Sequence, residues 1–386
     1  MFRHSDSYYL AHFSPARLTF ARQLRGMRKK DLGESIGRTA AAVTQYESGK
    51  ALPSMETLQA IMSVLRLPAA FFCDDSGSLP NAPLEGVHFR SNIDVPKIAR
   101  QKACNYGRLV NMVYCCLEGW GIKFPEPALP TLESPQVESG MEELAVTVRQ
   151  QLGLGLGPIH DIADLLESLG VRLIFMPPDD SYRLDAFATW LDGRPCMILD
   201  SGVPPSRLQF NYAHELSHLV FDEEKPANDR GIERKAHRFA GAFLMPRETF
   251  ELECPRSYKN GNWLAIKRHW HVSIAAALYR GRQLGIVSEK VYRNACIQRT
   301  IRSLRDREEG EFEPSLPTLL NQAMRLVSDH VNLEDLSNCI GIHLEELEEL
   351  LAMQGVEEDV IEKMRPARPK AQILAFRPEK IRKTEK

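Results

Sequence analysis

His214, Glu215 and His218, within the stretch NYAHELSHLVF, have the types and spacing that hold a metal and activate water. A separation of four residues puts both imidazoles on one face of a helix, a turn apart, where their nitrogens can grip one zinc ion at about 2.0 to 2.1 Å. Glu215 projects beside them as the expected general base, taking a proton from water that the metal makes acidic, with a pKa of about 7. The apolar neighbours Phe210, Ala213, Leu216, Leu219 and Val220 imply a buried helix, which argues against two solvated histidines, since unpaired polar groups are costly there. A catalytic zinc needs a third protein ligand and one open position. The next segment, GIERKAHRFAGAFLMP, offers Glu233 and His237, again four apart; either could bind the metal while the other orients a ligand from behind. The eight cysteines form no C-x-x-C pair, which fits reduced thiols better than a disulfide framework; Cys254 or Cys104 could cap the open position in a latent form.

The elements that must position these groups lie between about residues 138 and 288. Periodicity predicts a helix from Met141 to Leu152 and, after a Gly-rich turn, another from Pro158 to Leu169, closed by Gly170. Strands follow at 171–175, 186–191 and 195–200, the last two joined by Asp192-Gly193, a strong hairpin signal. Helices resume at about 206–221 and 231–244, where Pro246 interrupts. The hairpin edge could add an extended peptide substrate above the metal helix, or only cover the helices. No Tyr or His can be assigned to oxyanion stabilisation.

RLQFNYAHELSHLVF at 207–221, followed by ERKAHRFAGAFLMP at 233–246, resembles the ImmA/IrrE family of zinc metallopeptidases, whose pattern is AHELGH followed by E-x-x-A-N-x-F-A-x-x-L-L-M-P. PIHDIADLLESLGV at 158–171 and the strands before Arg207 resemble the start of the same domain. The resemblance implies a gluzincin-like zinc endopeptidase with His214, His218 and Glu233 as ligands and Glu215 as catalytic base. Ser217 stands where Gly is usual, and His237 where Asn is usual.

The amino-terminal residues 14–73 read as a bundle of small helices. Ser14-Pro15 starts one with Leu18, Ala21 and Leu24 inward; a second begins near Lys30 or Asp31; Gly37 turns the chain before Thr39, which caps a third; Ser54 caps a fourth; and Pro68 opens a last turn bearing Phe71 and Phe72. Residues 1–73 carry ten basic and five acidic side chains, a local +5. This pattern, with RKKDLGESIGRTAAAVTQYESGK from Arg28 to Lys50, resembles the XRE-type helix-turn-helix and implies DNA binding. Arg38, Thr39, Thr44, Gln45 and Lys50 are then the candidate contacts. Ala40, Ala41 and Ala42 occupy positions that often read base edges by hydrogen bonds, which leaves thymine-methyl contact. The alternative use of this module is docking of a protein.

The chain of 386 residues, with a net charge of −2, advertises neither a nucleic-acid nor a membrane partner globally, and no apolar run approaches a bilayer span. The expectation is a cytoplasmic protein. Four parts are assigned: 1–75, the helix-turn-helix; 76–137, a linker and helical connector; 138–288, the metallopeptidase domain; and 289–386, a C-terminal helical region. Residues 334–362 hold ten acidic residues, and 365–386 hold eight basic ones against two acidic. A solvated face and a disordered tail are expected there; no internal repeat is evident. The fold class is α+β, mainly α, with a five-helix bundle and a zincin-like domain around a small β-sheet. Two functions follow. One is a Zn2+-dependent endopeptidase with a DNA-binding module, cleaving a partner repressor or antitoxin to relieve repression in stress, prophage or defence regulation, with homodimer formation an option. The other is a transcription regulator whose metal domain senses a ligand or partner without proteolysis.

Overall fold

The computed structural model describes residues 6–73, 95–178, 185–222, 230–301 and 309–366. Its strands are β1 (Leu132–Glu133), β2 (Arg172–Met176), β3 (Ala186–Leu191), β4 (Arg194–Asp200) and β5 (Phe221–Asp222). The order β2-β4-β3 places β4 centrally, parallel to β2 and antiparallel to β3. The Asp192-Gly193 turn has both residues left-handed (φ 52° and 77°), the geometry that closes a two-residue hairpin in register with twisted strands. β1 and β5 form a separate two-residue parallel pair.

Alternation along the strands divides the core in two. Leu173, Phe175, Ala186, Ala188, Met197 and Leu199 face one hydrophobic cluster, whereas Ile174, Met176, Phe187, Leu191, Cys196 and Ile198 face the other. Both faces are therefore dry, as the continuous apolar runs of β2 and β4 require. The first face is packed by α8 (Ile162–Ser168) and α9 (Pro205–Val220), and the same core is completed by α7 (Met141–Gln151), α10 (Arg230–Leu244), α11 (Arg247–Glu253), α12 (Asn260–Trp270), α13 (Ile274–Gln283) and α14 (Glu289–Ile301). Trp263 and Trp270 lie in that core. The second face is covered by α6 (Lys97–Gly119), whose Gly107 lets the helix approach Ile198 and Leu191 closely.

The amino-terminal bundle comprises α1 (Asp6–Ala11), α2 (Pro15–Leu24), α3 (Lys29–Ser35), α4 (Ala40–Glu47), α5 (Met55–Leu65) and a 3-10 turn at Ala69–Phe72. Ser14 stands before α2, but its hydroxyl makes no cap; its N–H instead donates to the Phe72 carbonyl at 2.8 Å and ties the start of the bundle to its end. Thr39 and Ser54 do cap, accepting from the N–H groups of Ala42 and Thr57. Arg22 and Glu47 form a buried ion pair at 2.5 Å between α2 and α4. This bundle shares its hydrophobic core with α6 and with the C-terminal helices α15 (Leu319–Val327), α16 (Leu333–Ile340), α17 (Leu344–Met353) and α18 (Glu358–Met364).

Two expectations need correction. The helix read from Pro158 starts at Ile162, because the Asp161 carboxylate accepts the Asp164 N–H at 3.0 Å and fixes the cap there. The cysteines are not all free: Cys116 on α6 is bonded to Cys339 on α16, across 223 residues. The pairing arises from the packing of those two helices, which no spacing in the sequence announces. Of the linker and connector read at 76–137, residues 76–94 lie outside the described residues, as does the basic tail beyond residue 366.

Candidate metal centre

α9 begins with Pro205, whose fixed φ suits a first turn, and it is buried from Ser206 to Val220 except at Arg207, Phe210 and Asn211. This burial holds His214, Glu215 and His218 between the sheet and α10. Ser217, where Gly was expected, leaves no unpaired hydroxyl: its Oγ donates to the His214 carbonyl at 2.6 Å. α10 presents Glu233 to the same spot. Its placement is set by Glu142 on α7, which accepts from Arg238 (2.7 Å) and from both terminal nitrogens of Arg280 (2.6 and 2.7 Å), and by Phe239 packed edge-on to Phe221.

The Nε2 atoms of His214 and His218 are 3.3 Å apart, Glu233 Oε2 is 3.3 Å from the first, and Oε1 is 3.7 Å from the second. Tetrahedral ligands at zinc bond lengths have edges of about 3.3 Å. The buried Glu233 Oε1 and His214 Nδ1 have no hydrogen-bond partner among the described residues. A buried carboxylate oxygen left unpaired beside two converging imidazoles is the donor set of a divalent cation, so the residues present fit zinc. Of the two candidate third ligands, Glu233 joins this set. His237 stands one turn further along α10, its ring 4.8 Å from that of His214 and 5.6 Å from that of Phe210. Although the residue is exposed overall, desolvation of that ring and the neighbouring His214 push the imidazole down to about 4, against the pull of Glu233.

Glu215 is buried, and its Oε2 accepts the Ala188 N–H of β3 at 2.7 Å. Burial pushes the carboxyl up to about 7, against the charge of His214 and the Ala188 hydrogen bond. For His214 burial acts downward, but the hydrogen bond to Glu233 and the charges of Glu215 and Glu233 raise it above its usual value. Cys104 and Cys254 are buried outside this set, and burial pushes both thiols up to about 12, the wrong direction for a metal-binding thiolate. The Ala188 N–H was invisible to sequence reading, because a backbone donor carries no residue signature.

In the bundle, Gly37 to Ala41, Thr44, Gln45 and Lys50 are exposed along one face. Several side chains of that face are engaged locally: Arg38 donates to the Thr57 hydroxyl (3.0 Å), Thr39 caps α4, and Thr44 donates to the Ala40 carbonyl (2.9 Å). Gln45 and Lys50 face solvent.

Residues 20–72 match the family model described as helix-turn-helix, and residues 166–281 match that of the IrrE N-terminal-like domain, a peptidase family. The chain carries both domains in one polypeptide. Among particular proteins, the radiation response metalloprotease IrrE of Deinococcus deserti is 30% identical over 171 residues, covering 40% of this chain and 56% of its own. An uncharacterized HTH-type transcriptional regulator of Sinorhizobium medicae is 34% identical over 61 residues, covering 16% of this chain and 44% of its own. The chain thus spans about half the length of the curated relatives it matches. A solved Mycobacterium tuberculosis transcriptional regulator aligns over 45% of this chain and 51% of that one, at 16% identity and a TM-score of 0.25. No helix among the described residues is long and apolar enough to cross a membrane.

Proposed function

We propose that this chain is a zinc-dependent endopeptidase carrying a DNA-binding helix-turn-helix, which cleaves a partner transcriptional repressor or antitoxin and so relieves repression. The observation that carries the reading is the convergence of His214, His218 and Glu233, with the buried Glu215 as their neighbour. Zinc held by those three residues would polarise a peptide carbonyl and make water acidic enough to attack at neutral pH. Glu215, buried beside those three ligands, would take a proton from that water and return it to the leaving amine. Ala188 N–H fixes the orientation of that carboxylate, and β3, an edge strand, offers backbone groups along which an extended substrate can lie. The basic amino-terminal bundle supplies phosphate contact, with Lys50 and Gln45 as the exposed polar contacts and Arg38, Thr39 and Thr44 on the same face.

A second reading, a regulator that senses a ligand or partner without turnover, is favoured by the burial of Glu215 and its engagement with Ala188. New protein amino termini in cells producing wild type or Glu215→Gln separate the two. A fragment found only with wild type identifies the substrate and the activity. Identical termini under every stress tested, with DNA binding unaltered, leave the sensor.

A further inference from the structure

Residues 319–364 repeat the helix plan of the amino-terminal bundle, contrary to the expectation of no internal repeat. α15 to α18 follow in the order of α2 to α5. At the start of the second helix of each unit a backbone N–H donates to an Asp three residues on, Arg28 to Asp31 (2.8 Å) and Asn332 to Asp335 (3.1 Å). Each of these helices ends on a left-handed glycine, Gly37 (φ 65°) or Gly341 (φ 81°). The next residue donates back five positions in both, Arg38 to Gly33 and Ile342 to Ser337. Leu32, Ile36, Val43 and Tyr46 correspond to Leu336, Ile340, Leu347 and Leu350, all buried.

The surfaces of the two units differ. Where α4 carries the uncharged Ala41, Ala42, Thr44 and Gln45, α17 carries Glu345, Glu346, Glu348 and Glu349, which repel phosphate. The turn of the second unit is also covered. Ile342 is 2% exposed, Gly341 lies against Phe71 of the first unit, and Glu346 accepts from Arg25 at 2.7 and 2.9 Å. The same unit grips the metal-binding half. The Gln354 amide pairs with both the N–H and the carbonyl of Phe175 (2.9 and 2.8 Å), completing the free edge of β2, and Glu167 of α8 accepts the N–H groups of Thr318 (2.8 Å) and Leu319 (3.2 Å) at the start of α15. Cys116–Cys339 then joins α16 to α6, which itself packs on both α2 and the sheet.

We propose that this second helix-turn-helix-type unit reads no nucleic acid and is a redox-sensitive clasp, which holds the DNA-binding bundle against the metal-binding half while Cys116–Cys339 is closed. Cys116 is buried and Cys339 half-buried, so a dithiol reductant attacks the Cys339 sulfur. The S–S bond breaks, Cys116 leaves as a thiolate and takes a proton, and the reductant's second thiol resolves the mixed disulfide, leaving two protein thiols and an oxidised cyclic disulfide. The closed bond removes freedom from a long loop, so its loss should loosen both surfaces together. The clasp does not depend on whether the metal centre cleaves anything.

The test uses the full chain in a Cys115→Ser background, since Cys115 is an exposed thiol beside the pair. Amide hydrogen exchange is compared after diamide oxidation and after dithiothreitol. Reduction, and separately Cys339→Ser, should speed exchange at Phe71–Cys73 and at Phe175 by on the order of tenfold, with α12 unchanged. Glu345→Ala and Glu349→Ala should leave affinity for a random-sequence DNA duplex within about twofold or raise it. Free thiols at both positions after oxidation, equal exchange in the two redox states, loosening at only one surface, or weaker DNA binding by the glutamate variants would each overturn the proposal.

Discussion

Replacing Glu215 with Gln isolates the cost of keeping a carboxyl group inside the metal site. In the folded, metal-free chain burial raises this group to about 7, against an ordinary value of 4.5. At pH 4 it is protonated in both folded and unfolded chains and contributes no pH-dependent penalty. Between about 4.5 and 7 the folded chain retains a proton that the unfolded chain has lost, so stability falls as pH rises. Well above 7 the penalty is complete, at about 3 to 4 kcal/mol, from the 2.5-unit displacement at about 1.4 kcal/mol per unit. Gln has no such titration, and its amide oxygen can still accept the Ala188 N–H. Any cost of its extra N–H donors is the same at every pH and cancels in the difference. The stability of Glu215→Gln relative to wild type should therefore improve by about 3 kcal/mol between pH 4 and pH 8. Urea denaturation of chelator-treated protein, followed by amide protection in α9 and β3, measures this. A variant-minus-wild-type difference that is flat with pH would refute the assignment of burial as the controlling cause. With zinc restored, the same variant should retain the metal and lose turnover by about 10²- to 10⁴-fold.

Three further outcomes are expected. His218→Ala or Glu233→Gln should lower zinc affinity by on the order of a hundredfold, whereas His237→Ala should keep it within severalfold, as read by competition with a chromogenic chelator. Glu167, raised by burial to about 7 despite the Thr318 and Leu319 N–H groups, carries the same sign as Glu215: wild type should lose up to about 3 kcal/mol between pH 4.5 and 7 that Glu167→Gln does not, measured as the difference between their stability–pH curves. Gly107→Ala would place a Cβ 2.7 Å from Ile198 Cδ1 and 3.2 Å from Leu191 Cδ1, and should destabilise the chain by about 1 to 3 kcal/mol in chemical denaturation.

Much of the site was legible because its signals are local. The four-residue spacing of His214 and His218 needs only a helix, and the apolar residues around it supply one. The Asp192-Gly193 hairpin and the caps at Thr39 and Ser54 depend on one or two side chains meeting nearby backbone groups. The start of α8 lies four residues beyond Pro158 because Asp161 captures the Asp164 N–H and ends the preceding Pro-Ile-His turn there. The repeated bundle is hard to see in the sequence because the two units share only a few buried positions, one capping Asp and a turn glycine, while their surfaces carry opposite charge.

What the sequence determined by itself, then, is whatever a regular backbone turns into proximity: two imidazoles on one face, alternating strand faces, helix starts and turns. Tertiary packing decided which of Glu233 and His237 joins the histidines, how Glu142 and its arginines hold α10 in place, and that Cys116 meets Cys339 across 223 residues. It also decided the protonation of Glu215, since desolvation depends on everything that encloses a group. Spacing along a periodic chain fixes neighbours within a few residues, whereas distant contacts and burial exist only once separate elements have packed together.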